Sequence, residues 1–296
     1  MSFNSPNTFI IGVQKAGTTA LYDWLSQHPD IYAPSDLKDF HFFSIDKYYK
    51  KGEQFFYEKY RDQNIQKIKL SAGVNYIQFK FAIERIKKYN KDSKLILVLR
   101  DPVKRAFSAY NYFFKLGIEN LSFNDSLKRE LNGENNSILE KSNLSYINHG
   151  KYFEKIKMLY QHFQEDQVLI MFYEEIIADK EKAMNNIFQF LEIEQSVKIN
   201  FTFKNQTGKP IFRGINKILL SDNYLKSFLK YIGINKLLSY EKANRYIQEI
   251  IRINTNNANK AEINIEQYQL IKKYFEKDVA HLSTLLNKDL NTLWKF

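Results

Sequence analysis

The sequence predicts an α/β fold in which a central, mostly parallel sheet is flanked by helices on both faces and followed by a helical C-terminal portion. Three observations carry this. Short β-rich runs alternate with amphipathic stretches through the first 200 residues, the pattern of strand–helix units. Most of those runs are apolar nearly throughout, as parallel strands covered on both faces are. Past about residue 200 the strands stop and helical periodicity takes over. No internal repeat, low-complexity linker or Pro/Gly-rich hinge breaks the chain. It therefore reads as one domain over 1–296, with an α/β core (1–200) and a basic loop plus helical tail (201–296).

In order, strands are expected over 8–13, 67–72, 94–100 and 167–173. Helices are expected between them over 18–27, 79–89, 103–116, 151–163 and 181–191, and in the tail over 224–231, 240–253 and 265–286. The longest apolar runs, LILVL at 95–99 and VLIMFY at 168–173, are far short of the roughly 20 residues a bilayer demands. The first apolar run lacks the basic flank of a signal peptide, so a cytoplasmic protein is expected.

The 296 residues contain no cysteine, which excludes thiol nucleophiles, Cys-ligated metals and disulfide scaffolds. The formal net charge of +11 points to an anionic partner, which nucleic acid, membrane, nucleotide or acidic polymer all satisfy. Of the 44 basic residues 36 are Lys and 8 are Arg, so each planar guanidinium fork is the more pointed choice.

The first strand runs into Gly12-Val13-Gln14-Lys15-Ala16-Gly17-Thr18-Thr19, and a helix follows at once. Strand, Gly-containing loop and helix make an anion cradle, because loop N–H groups and the helix dipole converge on one spot. The spacing is that of a P-loop, and the expected fold is accordingly a P-loop-like three-layer one. A nucleoside triphosphatase, however, has Lys directly after the second Gly, where this chain has Thr18; its lysine, Lys15, sits inside the loop. Asp101, beside Arg100 and before Pro102, reads as a helix N-cap rather than a magnesium ligand. No metal is expected.

Q-K-A-G-T-T-A-L followed by L-S-Q-H-P-D-I resembles the 5′-phosphosulfate-binding motif of the sulfotransferases, which take a sulfuryl group from 3′-phosphoadenosine 5′-phosphosulfate (PAPS) and release 3′-phosphoadenosine 5′-phosphate (PAP). The resemblance implies that Lys15 steadies the leaving phosphate, with Ala16, Gly17, Thr18 and Thr19 around it. His28, in the H-P-D turn, reads as a structural residue.

In K-L-I-L-V-L-R-D-P-V-K-R-A-F-S, Arg100 ends a central strand, where open α/β sheets bind ligands. Ser108 lies two turns along the next helix, within reach of the same phosphate. The stretch resembles the family's 3′-phosphate-binding motif, which implies that Arg100 and Ser108 grip that group. Arg105 serves equally well as a structural ion-pair partner.

Lys38-Asp39-Phe40-His41-Phe42-Phe43 places a carboxylate and an imidazole two residues apart. In an extended segment both face one way, and either suits removal of an acceptor proton. The segment resembles K-E-x-H-F-F of carbohydrate sulfotransferases, the heparan sulfate N- and 3-O-type enzymes and their bacterial relatives. There a Glu is taken as the base, so Asp39, one methylene shorter, and His41 are the catalytic candidates. Only Tyr76 survives clearly of the relatives' E-x-[ST]-P-x-Y segment. G-K-Y-F (150–153), F-Y-E-E-I (172–176) and F-E-K-D-V (275–279) also match the family and read as structural. In the basic loop 206–214, Lys209 and Arg213 are loose candidates for closing on the 3′-phosphate.

The reading is thus a PAPS-dependent sulfotransferase acting on a hydroxyl or amine, with a carbohydrate as the acceptor best supported. Two rivals stand beside it: a nucleotide kinase or NTPase, and a non-catalytic binder of an anionic polymer. No RNA-binding signature is present.

Overall fold

The computed structural model describes residues 5–34, 37–60, 66–135, 141, 143–201, 209–210, 255–256 and 263–296. The chain clusters into two compact units. One comprises 1–105, 147–204 and 269–296; the other comprises 106–146 and 205–268.

The first unit is built on a five-stranded sheet. Its strands are β1 (Thr8–Gly12), β2 (Ile31–Tyr32), β3 (Ile68–Ala72), β4 (Lys94–Leu99) and β5 (Val168–Phe172), in the order β2-β3-β1-β4-β5, and all described pairings within it are parallel. Leu95 through Leu99 of β4 are each 0% exposed. Burial of alternate residues on both sides means that both faces are covered, which is why the run carries no polar alternation.

The covering helices include α1 (Thr18–Leu25), α4 (Lys80–Tyr89), α7 (Phe153–His162), α8 (Tyr173–Ala178) and α9 (Lys180–Leu191). The longer ones present a buried stripe at helical spacing, such as Ile83 and Ile86 on α4 or Met184, Ile187 and Leu191 on α9, and the short α8 buries Ile176. Two short helices, α2 (Asp46–Tyr49) and α3 (Glu53–Tyr57), precede β3. The tail of the chain adds α10 (Ile265–Lys272), α11 (Glu276–Leu285) and α12 (Leu290–Trp294).

From β1 the chain moves to β2 and β3 on one side, then crosses to β4 and β5 on the other. The reversal lies between β1 and β4, whose residues Gly12 and Leu97 are paired. Open α/β sheets bind ligands beyond the carboxyl ends of the strands at this switch point, and the Lys15 loop and Arg100 directly follow β1 and β4 there.

Helix α5 (Pro102–Lys115) starts in the first unit and continues in the second, which also holds α6 (Phe123–Leu131). Phe107, Tyr110, Phe123 and Tyr146 pack there ring to ring. Beside them Glu119, 2% exposed, accepts two guanidinium hydrogen bonds from Arg129 (3.1 and 2.7 Å), one from the Tyr146 hydroxyl (3.0 Å) and one from the Leu121 N–H. Burial by itself raises the Glu119 pKa, but Arg129 and the other donors outweigh it and hold the carboxyl below its usual range.

Three expectations are corrected. Strands do not stop at 200: β6 (Lys209–Pro210) and β7 (Thr255–Asn256) form a two-residue antiparallel ladder, too short to show periodicity. The expected helix 265–286 is two helices, because the chain turns at Tyr274–Phe275 to bury Phe275 at 0% exposure. The Asp39–His41 segment is not extended, as described below. The expected helices 224–231 and 240–253 lie outside the described residues.

Arg129→Ala leaves the buried Glu119 without its cation and is expected to lower unfolding stability by about 3–5 kcal/mol, measured by urea denaturation. Because the Glu119 pKa is depressed in the folded state, its stabilisation is full above the carboxylate's unfolded pKa and fades as pH falls through the folded one. The gap between wild type and variant should therefore narrow toward low pH.

Candidate functional site

The cradle forms where β1 ends. Val13 N–H donates to the Val98 carbonyl (2.9 Å), tying the start of the loop to β4, and Ala16 N–H closes a tight turn onto the Val13 carbonyl (3.2 Å). Lys15 adopts φ +71 and Gly17 φ +79. Left-handed backbone at lysine is uncommon and costs about 1–3 kcal/mol, a strain that surrounding structure must hold in place. Gly17 is the residue immediately before α1, and no side chain caps the helix there. The first N–H groups of α1 thus face the cradle with the positive end of the helix dipole. A larger residue at Gly17 would be strained by its positive φ and crowded, since a Cβ there would lie 3.1 Å from the Tyr173 ring. Thr18 is buried and Thr19 half-buried at the start of α1, and Ala16 is buried.

Arg100 directly follows β4 and reaches across to this loop. Its Nη1 donates to the Lys15 carbonyl at 2.7 Å, and its guanidinium lies over the Tyr173 ring, 4.6 Å from the centroid. Its Nε is buried and has no hydrogen-bond partner. Arg100 and the Lys15 loop, 85 residues apart in the chain, are thus in direct contact. A half-buried cation with an unspent donor beside an uncapped helix start is suited to a group bearing phosphates.

Asp101 is fully buried and caps α5, accepting from Val103 N–H (2.9 Å) and Lys104 N–H (3.1 Å), as its place before Pro102 predicts. Arg105 is 0% exposed, a core residue rather than a surface cation. Ser108 is half-buried on α5, in the second unit. Lys209 is the first residue of β6, and Arg213 lies outside the described residues. His28 is structural: its Nδ1 accepts from Asp30 N–H (3.0 Å), which places the proton on Nε2, and that nitrogen donates to the Glu194 carbonyl (2.8 Å).

The Asp39–His41 segment is a turn. Lys38 bridges to Ala72 at the end of β3, Phe40 N–H donates back to the Leu37 carbonyl, and Asp39 takes φ +60. The driving force is aromatic burial. Phe42 and Phe43 are 0% exposed, and Phe42 stacks on Phe56 at 4.5 Å with rings 2° from parallel. Seating both rings is incompatible with an extended 39–41, and Asp tolerates the left-handed region better than most residues. Tyr76 fixes the turn: its hydroxyl donates to the Phe40 carbonyl at 2.9 Å and its ring meets His41 edge-on. Gly73 makes space for it, because a Cβ there would come within 2.4 Å of the Tyr76 ring.

Asp39 is exposed, and His41 is half-buried with its Nδ1 sealed from solvent and without a partner. No hydrogen bond joins the two side chains among the described residues, but their charges interact. Burial pushes the His41 pKa down and the Asp39 carboxylate pulls it up; burial wins, so the imidazole is neutral at pH 7. A neutral imidazole, or the exposed carboxylate beside it, has the chemistry to accept a proton. The sequence carries no local signal for Tyr173 as the ring under Arg100 or for Tyr76 as the residue that fixes the turn.

A family profile described as "Sulfotransferase domain" matches residues 5–230. Mouse heparan sulfate glucosamine 3-O-sulfotransferase 3B1 is 30% identical over 209 residues, 70% of this chain and 52% of that protein. The chain spans about half the length of the curated relatives it matches. Among solved structures, a sulfotransferase from Alicyclobacillus acidocaldarius superimposes with a TM-score of 0.71 at 23% identity, covering 99% of each chain. A mouse sulfotransferase complexed with PAP does so with a TM-score of 0.51 at 16% identity, covering 98% of this chain and 87% of that one. These likenesses show a shared fold.

Nuclear magnetic resonance titration of His41 should give a pKa below the ordinary value of an exposed histidine. Asp39→Asn removes the charge that raises it and should move the midpoint lower still. A midpoint that rises in Asp39→Asn contradicts the pairing.

Proposed function

The chain belongs to the sulfotransferase-domain family, and from that premise we propose that it transfers a sulfuryl group from PAPS to a hydroxyl or amine of a carbohydrate. The observation that carries the reading is the 2.7 Å bond from Arg100 to the Lys15 carbonyl, which joins both phosphate motifs at the switch point of the sheet. A donor with phosphates at two positions needs two cationic sites at a fixed separation. The matching mouse structure is a complex with PAP, which supports the same donor here.

PAPS, when bound, supplies the sulfuryl group. The chain's own residues do the rest. Lys15, the loop amides and the start of α1 (Ala16, Gly17, Thr18, Thr19) bind the 5′ phosphate and counter the negative charge that grows on it. Arg100 holds the 3′-phosphate through guanidinium N–H groups that the Lys15 carbonyl does not use. Ser108 joins this reading by its motif, and Lys209 and Arg213 by their basic loop. Asp39 or the neutral His41 takes the proton from the acceptor. The acceptor class rests on the heparan sulfate glucosamine 3-O-sulfotransferases that the chain resembles. We place all of this within one sulfotransferase domain.

Calorimetry should show PAP binding to the wild-type chain, and Lys15→Ala and Arg100→Ala should each weaken it about 10- to 100-fold, the worth of one charge-assisted contact. No binding to wild type contradicts the reading. In transfer of labelled sulfate to a panel of glycans, Asp39→Asn should lose at least about 100-fold in rate; an active Asp39→Asn assigns the base to His41 instead.

A further inference from the structure

The peptide group between Arg100 and Asp101 is the hinge on which the Arg100 side chain hangs, and it belongs to neither the sheet nor a helix. β4 ends at Leu99 and α5 begins at Pro102. Both polar ends of this one peptide are nevertheless held by side chains. The Tyr152 hydroxyl donates to its carbonyl at 2.9 Å, and its N–H donates to Glu174 Oε1 at 3.1 Å. A buried peptide needs both partners, but water or main chain ordinarily supplies them.

Each of these two side chains is seated in turn by the C-terminal helices. Asp278 of α11 accepts the Tyr152 N–H at 2.7 Å, and Trp294 of α12 donates its indole N–H to Glu174 Oε2 at 3.0 Å. Tyr152 and Trp294 are 1% and 0% exposed, and their rings pack 6.0 Å apart. The three stretches G-K-Y-F, F-Y-E-E-I and F-E-K-D-V, which lie far apart in the chain, therefore meet around a single peptide bond.

We propose that Tyr152 and Glu174, seated by Asp278 and Trp294, are positioning residues that clamp the 100–101 peptide and so aim the Arg100 guanidinium at the 3′-phosphate. This rests on the donor assignment above. Arg100 is fixed at three places: its peptide by the clamp, its Nη1 by the Lys15 carbonyl, and its planar face by the Tyr173 ring. That restricts the directions in which its remaining N–H donors can point. Freeing the peptide lets the main chain rotate and carries the guanidinium with it. Sub-ångström placement of such a group is what binding selectivity depends on.

The test is the ratio of affinities for PAP and adenosine 5′-phosphate, which differ only by the 3′-phosphate. Tyr152→Phe removes one hydroxyl, keeps the ring, and leaves the main-chain N–H on Asp278. The wild type should prefer PAP. In Tyr152→Phe that preference should fall about three- to tenfold, with affinity for adenosine 5′-phosphate unchanged. Trp294→Phe, which frees Glu174, should shift the ratio in the same direction. A purely structural role for Tyr152 would weaken both nucleotides alike or lower only the melting temperature; either result, or a ratio equal to wild type, overturns the proposal. If the wild type itself shows no preference for PAP, the 3′-phosphate assignment of Arg100 fails first and this proposal with it.

Discussion

One hydrogen bond, from Arg100 Nη1 to the Lys15 carbonyl, ties the end of β4 to the loop after β1. Lys15 sits in the left-handed region, a conformation that a free loop would relax. Arg100 anchors it there, and Arg100 is itself held by the Tyr173 face and by hydrogen bonds at both ends of the 100–101 peptide. The result is a cationic surface of fixed shape that pays its ordering cost on folding rather than on ligand binding. Parallel pairing of β1 and β4 brings the two halves together, and the burial of β4 makes that pairing rigid.

Much of this was legible in the sequence. Runs such as L-I-L-V-L admit no other environment than a covered strand, so β1, β3, β4 and β5 fall within a residue or two of expectation. The loop at Lys15 was legible as a glycine-containing turn between a strand and a helix, and it lies there between β1 and α1. Arg100 was legible as the residue closing an apolar strand run, and it directly follows β4.

The illegible parts are those set by contacts distant in sequence. Asp39 and His41 alternate as an extended segment does, yet the burial of Phe42 and Phe43 against Phe56 turns the backbone at Asp39. The break at Tyr274–Phe275 interrupts a periodic helix because Phe275 is needed in the core. Tyr152, Glu174 and Trp294 carry no local signature of a shared task; only the fold shows that they converge on one peptide. Glu119 and Arg129 look like ordinary surface charges until burial makes each indispensable to the other.

The account stands on one spatial claim, that a single nucleotide spans from the Lys15 loop to Arg100. A crystal structure of the chain grown with PAP tests it most directly. The 5′-phosphate should lie against residues 15–19 at the start of α1, with the 3′-phosphate within hydrogen-bonding distance of the Arg100 guanidinium. A nucleotide bound in the reverse sense, or away from Arg100, would contradict it.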